Sequence, residues 1–247
     1  MITDKHNITR ASRLFHGRAY YAPAAPFPGV PFSPLHLHHF GAVDAAVANG
    51  LINAATSTEL PNDETKTYTF PGSSSPVDGS LADGVLDTPR NVVAVATDNS
   101  AVVAMTITIT GKDQYGQTMT ETLQITATGT EKTATGKKAF KQITKIDITS
   151  ASDATGNTLN IGTGNVLGLP HRVDSNGLLL AIVDGALDAD PTFAPADATT
   201  PSATTGDVRG TIEFDDVPDG TSIYSVLYQI GDARSKVGAY GLDQYAG

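Results

Sequence analysis

The residues best suited to chemistry are histidines and acids. His36-Leu37-His38-His39 puts three imidazoles within four positions. On a strand, His36 and His38 would share a face, and His16 or His6 would have to join them to complete a zinc set. No carboxylate stands at a diagnostic spacing, so the triplet reads as an interfacial loop rather than a metal centre. Oxygen ligands for calcium occur at Asp184, Asp188 and Asp190, and again in Asp215-Asp216-Val217-Pro218-Asp219-Gly220. Neither stretch has the twelve-residue loop with a closing Glu, and Val-Pro-Asp-Gly is an ordinary turn string. No metal and no cofactor are expected.

Other signals are weaker. Gly162-Thr163-Gly164-Asn165-Val166-Leu167-Gly168 approximates a dinucleotide loop, but its third Gly comes one position late and no helical pattern follows. Asn7-Ile8-Thr9 matches a glycosylation acceptor, yet Met1-Ile2-Thr3-Asp4-Lys5-His6 leads into no secretory signal. There is no nucleophile elbow, and His171 is the one histidine in the β-rich half. With no Cys, disulfides and thiolate chemistry are excluded. An enzyme is not expected.

The elements around these residues are strands. In Val103-Ala104-Met105-Thr106-Ile107-Thr108-Ile109-Thr110 the apolar residues alternate with Thr. That period of two marks a half-buried strand. After the turn Gly111-Lys112-Asp113-Gln114-Tyr115-Gly116, Met119, Leu123 and Ile125 alternate with Thr118, Thr120, Thr122 and Thr126. Further strands are predicted at 66–70, 91–98, 139–149, 158–162, 177–183, 208–214 and 222–230. In the 139–149 strand, Phe140, Ile146 and Ile148 share parity while Ile143 does not, which predicts a bulge. The fold class is all-β: a β-sandwich body, Ig-like or jelly-roll-like, with extended N-terminal and C-terminal arms.

The expected organisation is an extended arm over 1–60 with a short helix at Ala42–Ala48, a sandwich body over 61–232, and a C-terminal arm over 233–247. Five prolines fall between Pro23 and Pro34, which bars helix and inner strand there. The same piece concentrates Phe15, Tyr20, Tyr21, Phe27, Phe32 and Phe40. A disordered linker would be poor in aromatics, so the arm is expected to bind a neighbouring chain. Charge points the same way. Residues 151–233 hold 12 Asp and Glu against 2 Arg, whereas residues 1–21 set Lys5, Arg10, Arg13 and Arg18 against Asp4 alone. The expected partner-binding residues are therefore Arg10, Arg13, Phe15, Arg18, Tyr20, Tyr21, Phe27, Phe32 and Phe40. A net charge of −10 argues against nucleic acid as a partner. The longest apolar run, Leu178–Val183, is too short to cross a membrane.

Several strings resemble tailed-bacteriophage virion structural proteins, above all capsid cement or decoration proteins. They are Thr88-Pro89-Arg90-Asn91-Val92-Val93-Ala94-Val95, the turn Gly111–Gly116 with Thr120-Glu121-Thr122, Gly136-Lys137-Lys138-Ala139-Phe140-Lys141, Ile161–Pro170 and Ala203–Thr211. The resemblance implies a non-enzymatic protein on the capsid surface of a virion, assembled in the host cytoplasm, that bridges and stabilises neighbouring major capsid proteins. It also implies a homo-oligomer, with a trimer favoured. A neck, tail or fibre-associated virion protein is the alternative. A carbohydrate-binding adhesion module is another, although Trp is absent.

Overall fold

The structure, a computed structural model, describes residues 35–56, 59–150, 156–231 and 236–244. Within them the strands are β1 (Leu35–Ala42), β2 (Ile52–Ala55), β3 (Thr65–Thr69), β4 (Val85–Thr97), β5 (Met105–Lys112), β6 (Thr118–Ile125) and β7 (Glu131–Thr135). They continue with β8 (Phe140–Ser150), β9 (Thr158–Gly168), β10 (Leu178–Val183), β11 (Ala186–Leu187), β12 (Thr192–Pro195), β13 (Gly210–Glu213) and β14 (Ile223–Gln229). One short helix, α1, spans Lys236–Tyr240. The molecule is all-β and sandwich-like, with antiparallel sheets.

The larger sheet runs β12-β13-β9-β4-β8-β5-β6, with β2 on β9, β3 on β8 and β7 on β4. It behaves as two half-sheets. One holds β2, β9, β4 and β7, and the other holds β3, β8, β5 and β6. β8 joins them: Phe140 and Gln142 pair with Arg90 and Val85 of β4, and the strand from Gln142 onward pairs with β5 and β3. The apolar faces of the halves meet in one core. Ala94, Ala96, Leu159 and Ile161 come from the first, and Ile107, Ile109, Ile146 and Ile148 from the second, all fully buried. The core rests mainly on Ile, Val, Leu and Ala, with Tyr68, Phe70 and Phe140 as its aromatics.

The alternation read in β5 and β6 is present residue by residue. Met105, Ile107 and Ile109 are buried, and so are Met119, Leu123 and Ile125. The Thr face forms cross-strand pairs, including Thr65 with Thr149 at 2.8 Å and Thr108 with Thr122 at 3.4 Å. The bulge lies at Thr144: Thr110 pairs with Lys145 and Gly111 with Ile143. The extra residue is anchored, because the Thr144 hydroxyl donates to the Thr110 carbonyl at 3.1 Å and its own carbonyl accepts from the Phe70 N–H at 2.9 Å.

A four-stranded sheet, β1-β14-β10-β11, packs over the end of the larger one. Tyr224, Val226 and Tyr228 face inward onto Leu167, Leu169, Ile212 and Phe214 in a second core cluster. This sheet corrects the expected N-terminal arm. Residues 35–42 and 52–55 are strands of the two sheets, so the described part of the 1–60 segment belongs to the body.

The helix expected at Ala42–Ala48 does not form. Its backbone groups are engaged by distant partners instead of by i−4 carbonyls. The Val47 N–H donates to the Thr163 hydroxyl at 3.0 Å, and the Val47 carbonyl accepts from the Thr163 N–H at 2.9 Å. The Val43 carbonyl accepts from Gly220, and the Asp44 carbonyl from Arg90. The extended C-terminal arm is also corrected over its described part. Residues 236–240 are helical and docked, with the Arg172 N–H donating to the Ala239 carbonyl at 2.8 Å and Gln244 fully buried.

Candidate functional site

Four of the five strings that carry the virion resemblance converge on one buried polar junction. It begins at the turn after β5. The Asp113 carboxylate accepts from the backbone N–H groups of Tyr115 (2.8 Å) and Gln117 (2.9 Å), which closes the turn. Its other oxygen pairs with the guanidinium of Arg209, which arrives just before β13. Both side chains are almost completely buried. The Arg209 guanidinium stands 5.1 Å from the centroid of the Tyr115 ring and donates to the Tyr240 carbonyl of α1 at 3.4 Å. The Tyr115 hydroxyl donates to the Pro170 carbonyl at 2.7 Å. One ion pair thus ties the β5–β6 turn, the 169–171 segment, the lead-in to β13 and the C-terminal helix together.

A second set continues the junction. Asp207 accepts from the Arg209 N–H (2.9 Å), the Ala139 N–H (3.1 Å) and the Gln244 amide (3.0 Å). Lys138, fully buried, donates to the carbonyls of Thr120 (2.9 Å) and Ser202 (2.8 Å). Glu121 accepts from the backbone N–H groups of Lys137 and Lys138 through one oxygen, while the other has no protein partner. Burial pushes the Glu121 carboxyl up to about 7, against the pull of those two N–H groups and of Lys138. Burial likewise lowers Lys138. A carboxyl near neutrality suits proton transfer in an open cleft. Here the surroundings are shut. Glu121 is buried, and the gap bounded by Pro89, Gln114, Leu169, Asp207 and Arg209 holds no water-sized volume. The junction fastens loops rather than presenting a reactive group. A groove of about 220 Å³ runs between β12, β13 and the Gly136–Lys137 turn.

The histidines form a separate cluster. His36 and His38 do share one face, but of strand β1 rather than of a loop, with ring centroids 6.4 Å apart. His171 joins them edge-on at 4.6 Å from His36 and shares a 2.8 Å hydrogen bond with the Tyr228 hydroxyl. Burial lowers His38 and His171 to about 4, helped by the neighbouring imidazoles and, for His171, by Arg209. His36 is lowered by burial as well. His39 points to the opposite face and meets the Ser225 hydroxyl at 2.8 Å. Among the described residues, no group of three or more His, Asp or Glu is arranged to hold a metal ion.

The acidic stretches serve turns. Asp219 accepts from the N–H groups of Thr221 and Ser222 and from both hydroxyls. Asp184 lies at φ 50° beside Gly185 in the β10–β11 hairpin, a left-handed pair that such a tight turn demands. The glycine run at 162–168 belongs to strand β9, where it admits close neighbours. A Cβ at Gly162 would strike the Val47 carbonyl, and one at Gly164 the Asn91 amide.

Of the expected partner-binding residues, Arg10, Arg13, Phe15, Arg18, Tyr20, Tyr21, Phe27 and Phe32 lie outside the described residues. Phe40 is corrected. It sits in β1 with its ring 6.0 Å from Phe214 and 4.5 Å from His38, packed on the chain's own core. The junction residues Asp113, Glu121, Lys138, Asp207 and Arg209 were not singled out individually by the sequence. One signal was there: Glu121 occupies the apolar parity of β6, in phase with Met119, Leu123 and Ile125. No protein-family model, curated protein or solved structure matches this chain.

Proposed function

We propose that this chain is a non-enzymatic structural component of a tailed-bacteriophage virion. It acts as a capsid cement or decoration protein that bridges neighbouring major capsid proteins, as a homo-oligomer for which a trimer is favoured. The observation that carries the reading is the junction. Strings 111–116, 120–122, 136–141 and 203–211 are those that resemble such proteins, and their polar residues fasten loops onto a rigid β body. That is the demand on a part that must hold its shape under load. Many modest contacts repeated over a symmetric shell would give strong attachment without one tight site. The N-terminal segment supplies contacts between chains in this reading.

A low-resolution reconstruction of the particle that carries this chain tests the proposal. A copy number that scales with the major capsid protein, with density on the outer shell, is the expected result. A handful of copies at one vertex or along a tail would overturn cement in favour of a neck, tail or fibre-associated part.

A further inference from the structure

An antiparallel sheet at a protein surface usually buries one face and wets the other. The small sheet keeps large apolar side chains exposed on its outer face as well. Tyr224, Val226 and Tyr228 close its inner face. On the outer face Leu37 and Leu180 both stand opposite Leu227, and Ile182 stands opposite Leu187. Ile223 extends this stripe toward the far end. Leu37 is 48 % exposed, Leu180 40 %, Ile223 53 % and Leu187 69 %. No Asp, Glu, Lys or Arg is paired into that face. The His39–Ser225 pair interrupts it between the Leu227 row and Ile223, and a cluster of exposed apolar side chains of this kind marks an interaction site.

Carboxylates border the sheet beside Ile223 and along the β11 edge. Asp184 accepts from the Ile223 N–H at 2.8 Å, and Asp188 accepts from the Asp215 N–H at 3.1 Å, with Asp216 next in the chain. The opposite end is where β1 begins, with Leu35 paired to Gln229. Residues 1–34 join the molecule there.

We propose that this outer face is the docking site for the N-terminal segment, Arg10–Phe32, of a second copy of this chain, so that copies are held together by exchanged segments. The proposal rests on the functional reading above only in assigning that segment to contacts between chains. Composition fits the face. Phe15, Tyr20, Tyr21, Phe27 and Phe32 match the apolar stripe, and Arg10, Arg13 and Arg18 match the bordering carboxylates. A segment that lays Phe27 and Phe32 over the Leu37–Leu227–Leu180 row brings its basic part toward Asp184, at the Ile223 end of that face. Extended chain covers about 3.3 Å per residue, so the stretch from Arg10 to Pro34 is several times the length of the eight-residue strand β1.

The test uses the full chain in solution, with no particle present. Its mass is measured by light scattering for the wild type, for Leu37→Glu/Leu180→Glu and for Phe27→Ser/Phe32→Ser. The wild type is expected to be oligomeric. Each double variant is expected to dissociate at least tenfold more readily while keeping the β circular-dichroism spectrum. Because the protein has no Cys, Phe27→Cys combined with Leu180→Cys provides a second measurement that tolerates weakened folding. A disulfide between copies is expected under oxidation. A disulfide within one chain, a monomeric wild type, or an oligomer unchanged in both double variants would each overturn the proposal. Particle occupancy tests the cement reading separately, so either can fail without the other.

Discussion

Arg209 and Asp113 form an ion pair across the junction of the β5–β6 turn and the entry to β13, both almost fully removed from water. Removing one partner of such a pair leaves the other charge stranded and costs about 3–5 kcal/mol. Asp113→Ala is expected to fall in that range, because it also releases the N–H groups of Tyr115 and Gln117. For a chain of this size the melting temperature should drop by roughly 10 °C. Replacing both partners, with Asp113→Leu and Arg209→Met, should recover part of the loss. Thermal melts of the two variants check this; a double variant no better than the single one would show that the turn, not the pairing, dominates.

The histidine cluster predicts acid sensitivity with a definite sign. His38 and His171 are held near 4 by burial and by one another, below the ordinary value of 6.5. Between those values the unfolded chain binds protons that the folded chain refuses, so stability falls as pH drops from about 6.5 to 4. Arg209, the neighbouring imidazoles and the tyrosines Tyr228 and Tyr240 are the groups facing the cluster. His38→Leu should cost about 1 kcal/mol or less at pH 8 and flatten the decline. Denaturant melts at pH 8, 6.5, 5 and 4 measure both slopes; parallel curves would rule the cluster out as the acid-sensitive element.

Glu121 predicts the opposite trend. Its folded value of about 7 lies above the ordinary carboxylate range, so the native state holds a proton that the unfolded chain has lost. The stability this contributes is present at low pH and disappears as pH rises toward 7. Glu121→Gln keeps an oxygen for the Lys137 and Lys138 N–H groups and removes the charge. It should stabilise the protein above pH 8 by on the order of 2 kcal/mol and change little at pH 4.5. A destabilised Gln variant at high pH would mean that the carboxylate is ionised in the folded chain and paired with Lys138.

The sandwich core was legible because period two is local: Met105, Ile107 and Ile109 announce a buried face without reference to any other strand. The bulge at Thr144 was legible for the same reason, as a break in parity between Ile143 and Ile146. What was not legible depends on distant partners. The segment after β1 carries a helical composition, yet its carbonyls and N–H groups are claimed by Thr163, Gly220 and Arg90, all remote in sequence. Leu35–Ala42 follows a proline-rich stretch and looks like its continuation until β14 provides a pairing edge. The junction escaped for a related reason. Asp113, Lys138 and Arg209 each resemble ordinary surface charges, and only the fold shows that they are buried together.

The acidic turns give the last prediction. A calcium site needs several carboxylate and carbonyl oxygens turned toward one point. At Asp219 both oxygens are already occupied by Thr221 and Ser222, and these hydrogen bonds hold the carboxyl down at about 2. Asp188 is likewise engaged by the Asp215 N–H and Asp184 by the Ile223 N–H. Binding a cation here would have to displace hydrogen bonds that close the loop and the hairpin. Exhaustive chelation, and calcium added back at millimolar concentration, should therefore leave the melting temperature unchanged. By contrast Asp219→Ala should loosen the 217–222 loop, read as faster amide exchange at Thr221 and Ser222. Its own titration adds a sign: the depressed value means that the turn's contribution is complete above the ordinary value of 3.8 and is lost as pH falls from there through about 2. A fall in melting temperature on chelation would show that the loop rearranges around a metal and that the hydrogen-bonded turn is not its resting state.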